Sequence, residues 1–177
     1  MPGATFIEGD EVTLRTIEEE DLEFLQRVIN KPEVRQGIGR PLPVNGPQEQ
    51  EFFEEVVGNE ETVTLLIMAD GERVGTIGFN SINHSADRAE VGYWIAPDHH
   101  DKGYGSESTA LLVDYGFREL GLHRIEARAF EFNDASQALL ESVGFTEEGV
   151  HRDGIFLKGD YQDEHWYSVL ESEWDGL

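Results

Sequence analysis

The sequence predicts an α/β (α+β) fold, a mixed sheet with helices on its faces. Three observations carry this. Apolar segments of strand length alternate with segments of 3.6-residue periodicity. The 177 residues are enough for one domain with a real core. No internal repeat, linker or low-complexity segment divides them, so a single domain over residues 1–177 is expected.

The elements run in the order β-α-α-β-β-β-α-β-α-β-β. "EVTLRTI" alternates as a first strand. Leu22, Leu25, Val28 and Ile29 in "EEEDLEFLQRVIN" recur at helical spacing, and that helix stops before Pro32. "RQGIGRPLPVNG" is rich in glycine and proline and reads as a loop. Asn45 then caps a second helix, with Pro47 near its start and Gly58 at its end. "TVTLLIMA" is a strand, Asp70-Gly71 a hairpin turn and "RVGTIGFN" the return strand. "SINHSADR" reads as a loop before the strand "AEVGYWIA". The glycine-containing stretch "HHDKGYGSES" leads into the helix "ESTALLVDYGFREL". The strand "HRIEARAF" follows, then the helix "NDASQALLESVGF", closed by Gly144. "TEEGVHRDGIFLKG" holds a strand and a turn, and "EHWYSVLESEW" is the last strand.

Composition removes several function classes. With no cysteine there is no disulfide framework, thiol nucleophile or cysteine zinc site. The stretch "MPGATFIEGDEVTL" has no basic region followed by an apolar run, so it does not read as a signal peptide. No apolar run approaches the ~18 residues of a membrane span, and a cytoplasmic location is expected. Asp and Glu number 37 against 13 Lys and Arg, a net charge of −24. Such a surface repels nucleic acid and anionic lipid, so neither is expected as a partner. Only Lys31, Lys102 and Lys158 are lysines, and the acidic residues are scattered rather than gathered in a tail. That pattern points to a salt-accumulating halophile; an ordinary acidic cytoplasmic protein is the alternative.

Glycines ahead of a helix let backbone N–H groups approach an anion, so residues 99–108 read as an anion loop. A P-loop is excluded, since no lysine follows either glycine. A dinucleotide loop fits poorly, because Ser108 stands at the third glycine position and "PDHHDK" separates strand from glycines. Glu126, at the spacing that fold asks for, falls in mid-strand.

His100-Asp101-Lys102-Gly103-Tyr104-Gly105 has the form [QR]-x-x-G-x-[GA] except at His100, and it sits between a strand and a helix. "NDASQALLESVGF" has the form N-x-x-[AS]…G-F. With "AEVGYWIAP" and "GDYQDEHWYSVLESEW", these blocks resemble the GNAT superfamily of N-acetyltransferases over nearly the whole chain. Within it they look like the RimJ/RimL-like branch, which acetylates protein N-termini and some small amines. The resemblance implies a mixed, mostly antiparallel sheet flanked by helices. It also implies acetyl-CoA as co-substrate, no metal, and a monomer or homodimer.

The resemblance assigns the site residues. Backbone N–H groups from Lys102 through Gly103, Tyr104 and Gly105 to Ser106 would cradle the coenzyme's pyrophosphate, with His100 beside them. Ser106 also reads as the helix N-cap, and Lys102 and His100 also read as plain loop surface. Ile95 and Ala96 would hold the pantetheine and the thioester carbonyl. Asn133 would bond the pantetheine amides, or simply cap its helix. Many members carry a tyrosine seven residues after this asparagine; here that residue is Leu140. The RimJ/RimL-like branch has a serine three residues after it, which Ser136 matches, and its hydroxyl would bond the coenzyme's sulfur.

Glu90 is the candidate base. It shares a strand face with Gly92 and Trp94, and an apolar flank would raise its pKa toward neutrality. The alternatives are a solvent-facing residue or a partner of Arg88; Glu126 and His123 are weaker candidates. Tyr161, Trp166 and Tyr167 would line the acceptor site or fill the core. Residues 35–46 would cover the acceptor mouth. The expected activity is direct acetyl transfer to an α-amino group, most readily that of a protein N-terminus, whose pKa is lower than a lysine's. The rivals are a small amine acceptor and a coenzyme-A-binding regulator without catalysis.

Overall fold

The computed structural model describes residues 3–177; Met1 and Pro2, the start of the expected 1–177 domain, lie outside the described residues. The strands are β1 (Thr5–Glu8), β2 (Val12–Arg15), β3 (Val63–Ala69), β4 (Glu72–Asn83), β5 (Arg88–Ile95), β6 (Arg124–Phe130), β7 (Thr146–Leu157) and β8 (Asp160–Leu170). The helices are α1 (Leu22–Ile29), α2 (Pro32–Gly37), α3 (Gly46–Glu55), α4 (Tyr104–Arg118) and α5 (Asp134–Val143). All eight strands form one sheet in the order β1-β2-β3-β4-β5-β6-β8-β7. Every neighbouring pair is antiparallel except β5 and β6, which are joined through α4.

Helices cover both faces, and strand alternation divides the core between them. In β3, Leu65, Ile67 and Ala69 pack toward Leu111, Leu112 and Val113 of α4 and Leu140 of α5. Leu66 and Met68 point the other way, to Leu25 of α1 and the flanking Phe53 of α3. Burial on both faces explains why "TVTLLIMA" is a continuous apolar run rather than an alternating one.

The predicted elements are present, and the structure adds two. β1 is a four-residue edge strand whose short "TFIE" carries too little periodicity to read. α2 lies where the sequence suggested only a stop and a loop. Pro32 holds its first position, where a missing N–H costs nothing, after an extended Lys31. β4 also runs on through Ile82 to Asn83, into the stretch read as a loop.

The α1–α3 layer is tied down by polar side chains. Asn30 at the end of α1 donates to Val44 O (2.8 Å) and accepts from Val44 N (2.9 Å), fixing the segment that precedes α3. Asn45 caps α3 as expected, accepting from Gln48 N at 3.0 Å. Asp21, fully buried just before α1, accepts from Arg73 Nε of β4 at 2.6 Å and from Glu18 N at 2.8 Å. Asp21→Ala leaves an amide without its acceptor and the guanidinium with only the more distant Glu20, at 3.8 Å. It should lower stability by about 1–3 kcal/mol in urea unfolding, with the loss recovered in part by Asp21→Asn. An unchanged midpoint for Asp21→Ala would show that the α1 layer is held by apolar packing alone.

Candidate active site

The site is organised by a parting of strands. β5 and β6 pair only through Arg88, Ala89 and Glu90, opposite Arg124, Ile125 and Glu126. From Val91 onward β5 stays with β4, while β6 follows β8 as far as Phe130. A wedge opens between them. Ala96 N donates to Val74 O at 2.7 Å. In an antiparallel ladder bonded and non-bonded pairs alternate, so Trp94 and Gly92 also bond toward β4. The N–H and C=O groups of Val91, Tyr93 and Ile95 therefore turn into the wedge.

The backbone groups of Ile95 thus face the wedge, and those of Ala96 do not. Its N–H is committed to Val74 and it does not line the cleft, so the expectation that Ala96 grips the coenzyme is corrected. The other ten expected residues line one cleft of about 810 Å³, within the usual range for small-molecule sites. His100 folds back so that Nε2 lies 2.9 Å from Ile95 O, closing one of the carbonyls that the wedge leaves free.

Beside the wedge mouth the chain turns through left-handed Asp101 (φ 60°) and Gly103 (φ 81°) into α4. Gly103 is the N-cap, so Ser106 lies inside the first helical turn and is not the cap. The helix's own bonding begins with Glu107 N to Gly103 O at 3.1 Å. The N–H groups of Tyr104, Gly105 and Ser106 precede it and have no carbonyl within the helix. Together with the positive end of α4 they form an anion cradle.

Side chains here do different work from the backbone. The ring of Tyr104 is buried, and its hydroxyl donates to Asp70 Oδ2 at 3.1 Å. Lys102 Nζ lies 5.8 Å from the centre of that ring. A Cβ on Gly105 would sit 2.8 Å from Leu139 Cδ1, so this glycine allows α4 and α5 to approach each other. A Cβ on Gly103 would meet nothing within 4 Å; there the left-handed φ is what requires glycine.

Across the wedge mouth, Asn133 caps α5, its side chain accepting from Ser136 N at 3.1 Å. Ser136 Oγ lies 2.7 Å from Tyr93 OH, linking α5 to β5. Burial pushes the Tyr93 phenol up to about 12, partly offset by its bond to Ser136. Leu140 is buried in the core and offers no proton. Tyr93 was not singled out in the sequence.

Glu90 opens onto the same cleft from the α1–α3 face of the sheet. The apolar flank expected for it is broken by Arg128, whose Nε lies 3.1 Å from Glu90 Oε1. Arg88, the alternative partner, lies 3.9 Å from Glu126 instead. Arg128 also reaches Glu164 (3.4 Å) and lies over the ring of Trp166, 5.6 Å from its centre. Glu126 is engaged by Arg124 Nε at 2.9 Å, and neither Glu126 nor His123 lines the cleft. Tyr167 is core and Tyr161 is exposed beside the β7–β8 turn, so only Trp166 of that aromatic group approaches the cleft, through Arg128. Ile38 of the 35–46 stretch lies in the cleft wall with Phe52, Val56, Phe130 and Phe132.

Residues 11–146 match the family model described as acetyltransferase (GNAT) domain. The uncharacterised N-acetyltransferase p20 of Bacillus licheniformis is 33% identical over 172 residues, covering 94% of this chain and 97% of that protein. The putative ribosomal N-acetyltransferase YdaF of Bacillus subtilis is 30% identical over 175 residues, covering 95% and 96%. Among solved structures, Vibrio cholerae spermidine N-acetyltransferase in complex with CoA and spermine superposes with a TM-score of 0.88. It is 25% identical, covering 93% of this chain and 98% of that one. The wedge, the helix-start cradle and these likenesses agree: the chain belongs to the acetyltransferase (GNAT) family.

Proposed function

We propose that the chain is one N-acetyltransferase domain that moves an acetyl group from acetyl-CoA to the α-amino group of a protein N-terminus, directly and without an acyl-enzyme. The N–H groups of Gly103 to Ser106 hold the pyrophosphate, and Asn133 meets the pantetheine amides. The wedge-facing N–H of Ile95 polarises the thioester carbonyl, where one such donor is worth about 3–4 kcal/mol of barrier. Ser136 faces the sulfur. Glu90 takes the proton that the amine sheds, directly or through water, once Arg128 yields to the acceptor.

The observation that carries the choice of acceptor is Arg128. It is a half-exposed guanidinium in the acceptor half of the cleft, above apolar walls that include Phe52, Phe130 and Phe132. An extended peptide offers carbonyls to Arg128 and apolar side chains to the walls, whereas a polycation would be drawn to Glu90 and Glu164, which flank Arg128, and not to the guanidinium. The spermidine enzyme of Vibrio cholerae keeps a polyamine acceptor as the rival reading. Thiol release from acetyl-CoA, measured with pooled N-terminal peptides and separately with polyamines, tests it. Peptides should turn over at least about tenfold faster in kcat/KM. A preference for polyamines would sink the peptide reading, and no release with either set would leave a coenzyme-binding regulator.

Glu90→Gln should lower kcat/KM by about 10²-fold or more, with acetyl-CoA binding unchanged by calorimetry. A kcat/KM within about twofold of wild type would discard Glu90 as the base.

Gly103→Val strains the cap by about 1–2 kcal/mol and turns the cradle's N–H groups away. It should weaken acetyl-CoA binding about tenfold by calorimetry and lower the thermal midpoint by the few degrees that this strain costs. Gly105→Val carries no such φ penalty and meets only the end of the Leu139 side chain, so it should cost less stability. A larger loss of stability at Gly105 than at Gly103 would contradict the assignment of cap and packing roles.

The acidic surface fits a salt-rich setting. Raising salt from 0.2 M to 2 M shortens the screening length to a few ångströms, from a starting value of about 7–10 Å. That removes the repulsion of 24 net negative charges while leaving N–H contacts in place. Acetyl-CoA should therefore bind at least as tightly at 2 M KCl, where circular dichroism shows the same fold. A tenfold loss would assign the phosphate site to charged side chains.

A further inference from the structure

We propose that Tyr93 is a positioning residue for the leaving group: its phenol donates to Ser136 Oγ, so that the serine's own hydrogen is turned toward the coenzyme's sulfur. This rests on the reading above that Ser136 faces that sulfur.

Three observations lead to it. Tyr93 OH and Ser136 Oγ are 2.7 Å apart, and both residues line the cleft with Ile95, Ser106 and Asn133. They come from opposite sides of the wedge mouth, β5 and the first turn of α5, so neither is held there by its own element alone. Tyr93 packs against the main core with Ile95 and Leu139, which holds its ring and so the position of its hydroxyl oxygen.

A serine hydroxyl has one hydrogen and two lone pairs. If Ser136 donates to Tyr93, nothing is left for the sulfur. If Tyr93 donates, the serine's hydrogen is free. The phenol is the more acidic of the two hydroxyls and so the better donor. Burial keeps it protonated, pushed up to about 12, so it stays a donor across any working pH. Each bond in such a chain polarises the next.

The step balances without a proton from either side chain. The amine nitrogen attacks the thioester carbon and a C–N bond forms. The C–S bond breaks, and its electron pair goes to sulfur. The amine's proton leaves to Glu90 or water. A coenzyme thiol with a pKa near that of a free thiol, about 8.5, then takes its proton from solvent. Tyr93 and Ser136 contribute hydrogen bonds to the developing thiolate and end as they began.

The test needs no acceptor amine. Coenzyme A is bound to the folded protein, and its thiol is titrated by the ultraviolet absorbance of the thiolate, with desulfo-coenzyme A as blank. In the wild type the bound thiol should titrate below the free one. Ser136→Ala should raise it by about one pKa unit, and Tyr93→Phe by about half a unit to one unit. The double variant should match Ser136→Ala alone, because Tyr93 acts only through the serine. Affinity for desulfo-coenzyme A should be unchanged throughout, which a merely structural role for Tyr93 would not predict. If Ser136→Ala moves the thiol and Tyr93→Phe does not, the inference is overturned and the reading of Ser136 stands. If the two effects add in full, Tyr93 acts independently and the inference is overturned. If neither moves it, both fall.

Discussion

Backbone hydrogen bonding is the constraint on which this molecule turns. Each strand carries a row of donors and acceptors that must find partners or water. β5 finds them on both edges only as far as Glu90. Beyond that point its β4 edge stays paired, and its other edge is open except where His100 meets Ile95 O, because β6 has gone with β8. Sheets normally cover or blunt such an edge. Here the single parallel junction makes the arrangement stable, because a parallel connection needs a crossover. The crossover is α4, whose start lies within ten residues of the end of β5. The same connection therefore brings the helix's unpaired N–H groups to the mouth of the unpaired strand edge. Strand groups suited to an amide-bearing chain and helix groups suited to a phosphate end up in one cleft.

The pleat then separates the chemistry. Successive residues of β5 point to opposite faces, so Tyr93 meets α5 while Trp94 packs on Phe24 of α1. Glu90 and Gly92 belong with Trp94 on the acceptor face. Tyr93 and Glu90 thus come from one strand of eight residues, yet lie on opposite sides of the sheet. Only the wedge connects them. In the reaction proposed above, a carbonyl held in it would meet an amine from one side and release sulfur to the other, with no motion of the core.

Much of this was legible in the sequence, and what was hidden shares a cause. Periodicity gave the long strands and helices because burial on a face leaves a repeating trace. The glycine stretch pointed to the anion cradle because left-handed backbone has few residue choices. The two glycines nonetheless have different reasons. Gly103 answers to its own φ, whereas Gly105 answers to Leu139, a neighbour 34 positions later. Pairings across elements left no local trace. Tyr93 and Ser136 are separated by 43 residues, and nothing near either one announces the other. Arg128 displaced Arg88 as partner of Glu90 because the parting strands bring in a side chain from further along β6. Ala96 was misplaced by one residue of ladder parity, which resemblance alone does not fix. α2 was missed because Pro32 ends one helix pattern and begins another, and only the backbone distinguishes the two.

The charge of the molecule bears on why the cradle takes this form. A protein with 37 acidic residues must still receive a strongly anionic substrate. Building the phosphate site from lysines and arginines would set each cation among competing carboxylates, and nearby acids do claim them: Arg73, Arg124 and Arg128 each hold one or more. Lys102, the one lysine in the anion loop, lies over the Tyr104 ring. Backbone N–H groups are less open to that competition. They are fixed by the turn at Gly103 and the start of α4, and they carry no side-chain charge and do not titrate. Their contacts are also too short for salt to screen. An anion site made of main chain is the form that tolerates both an acidic surface and a saline medium, and it places the demand for specificity on the turn rather than on charge.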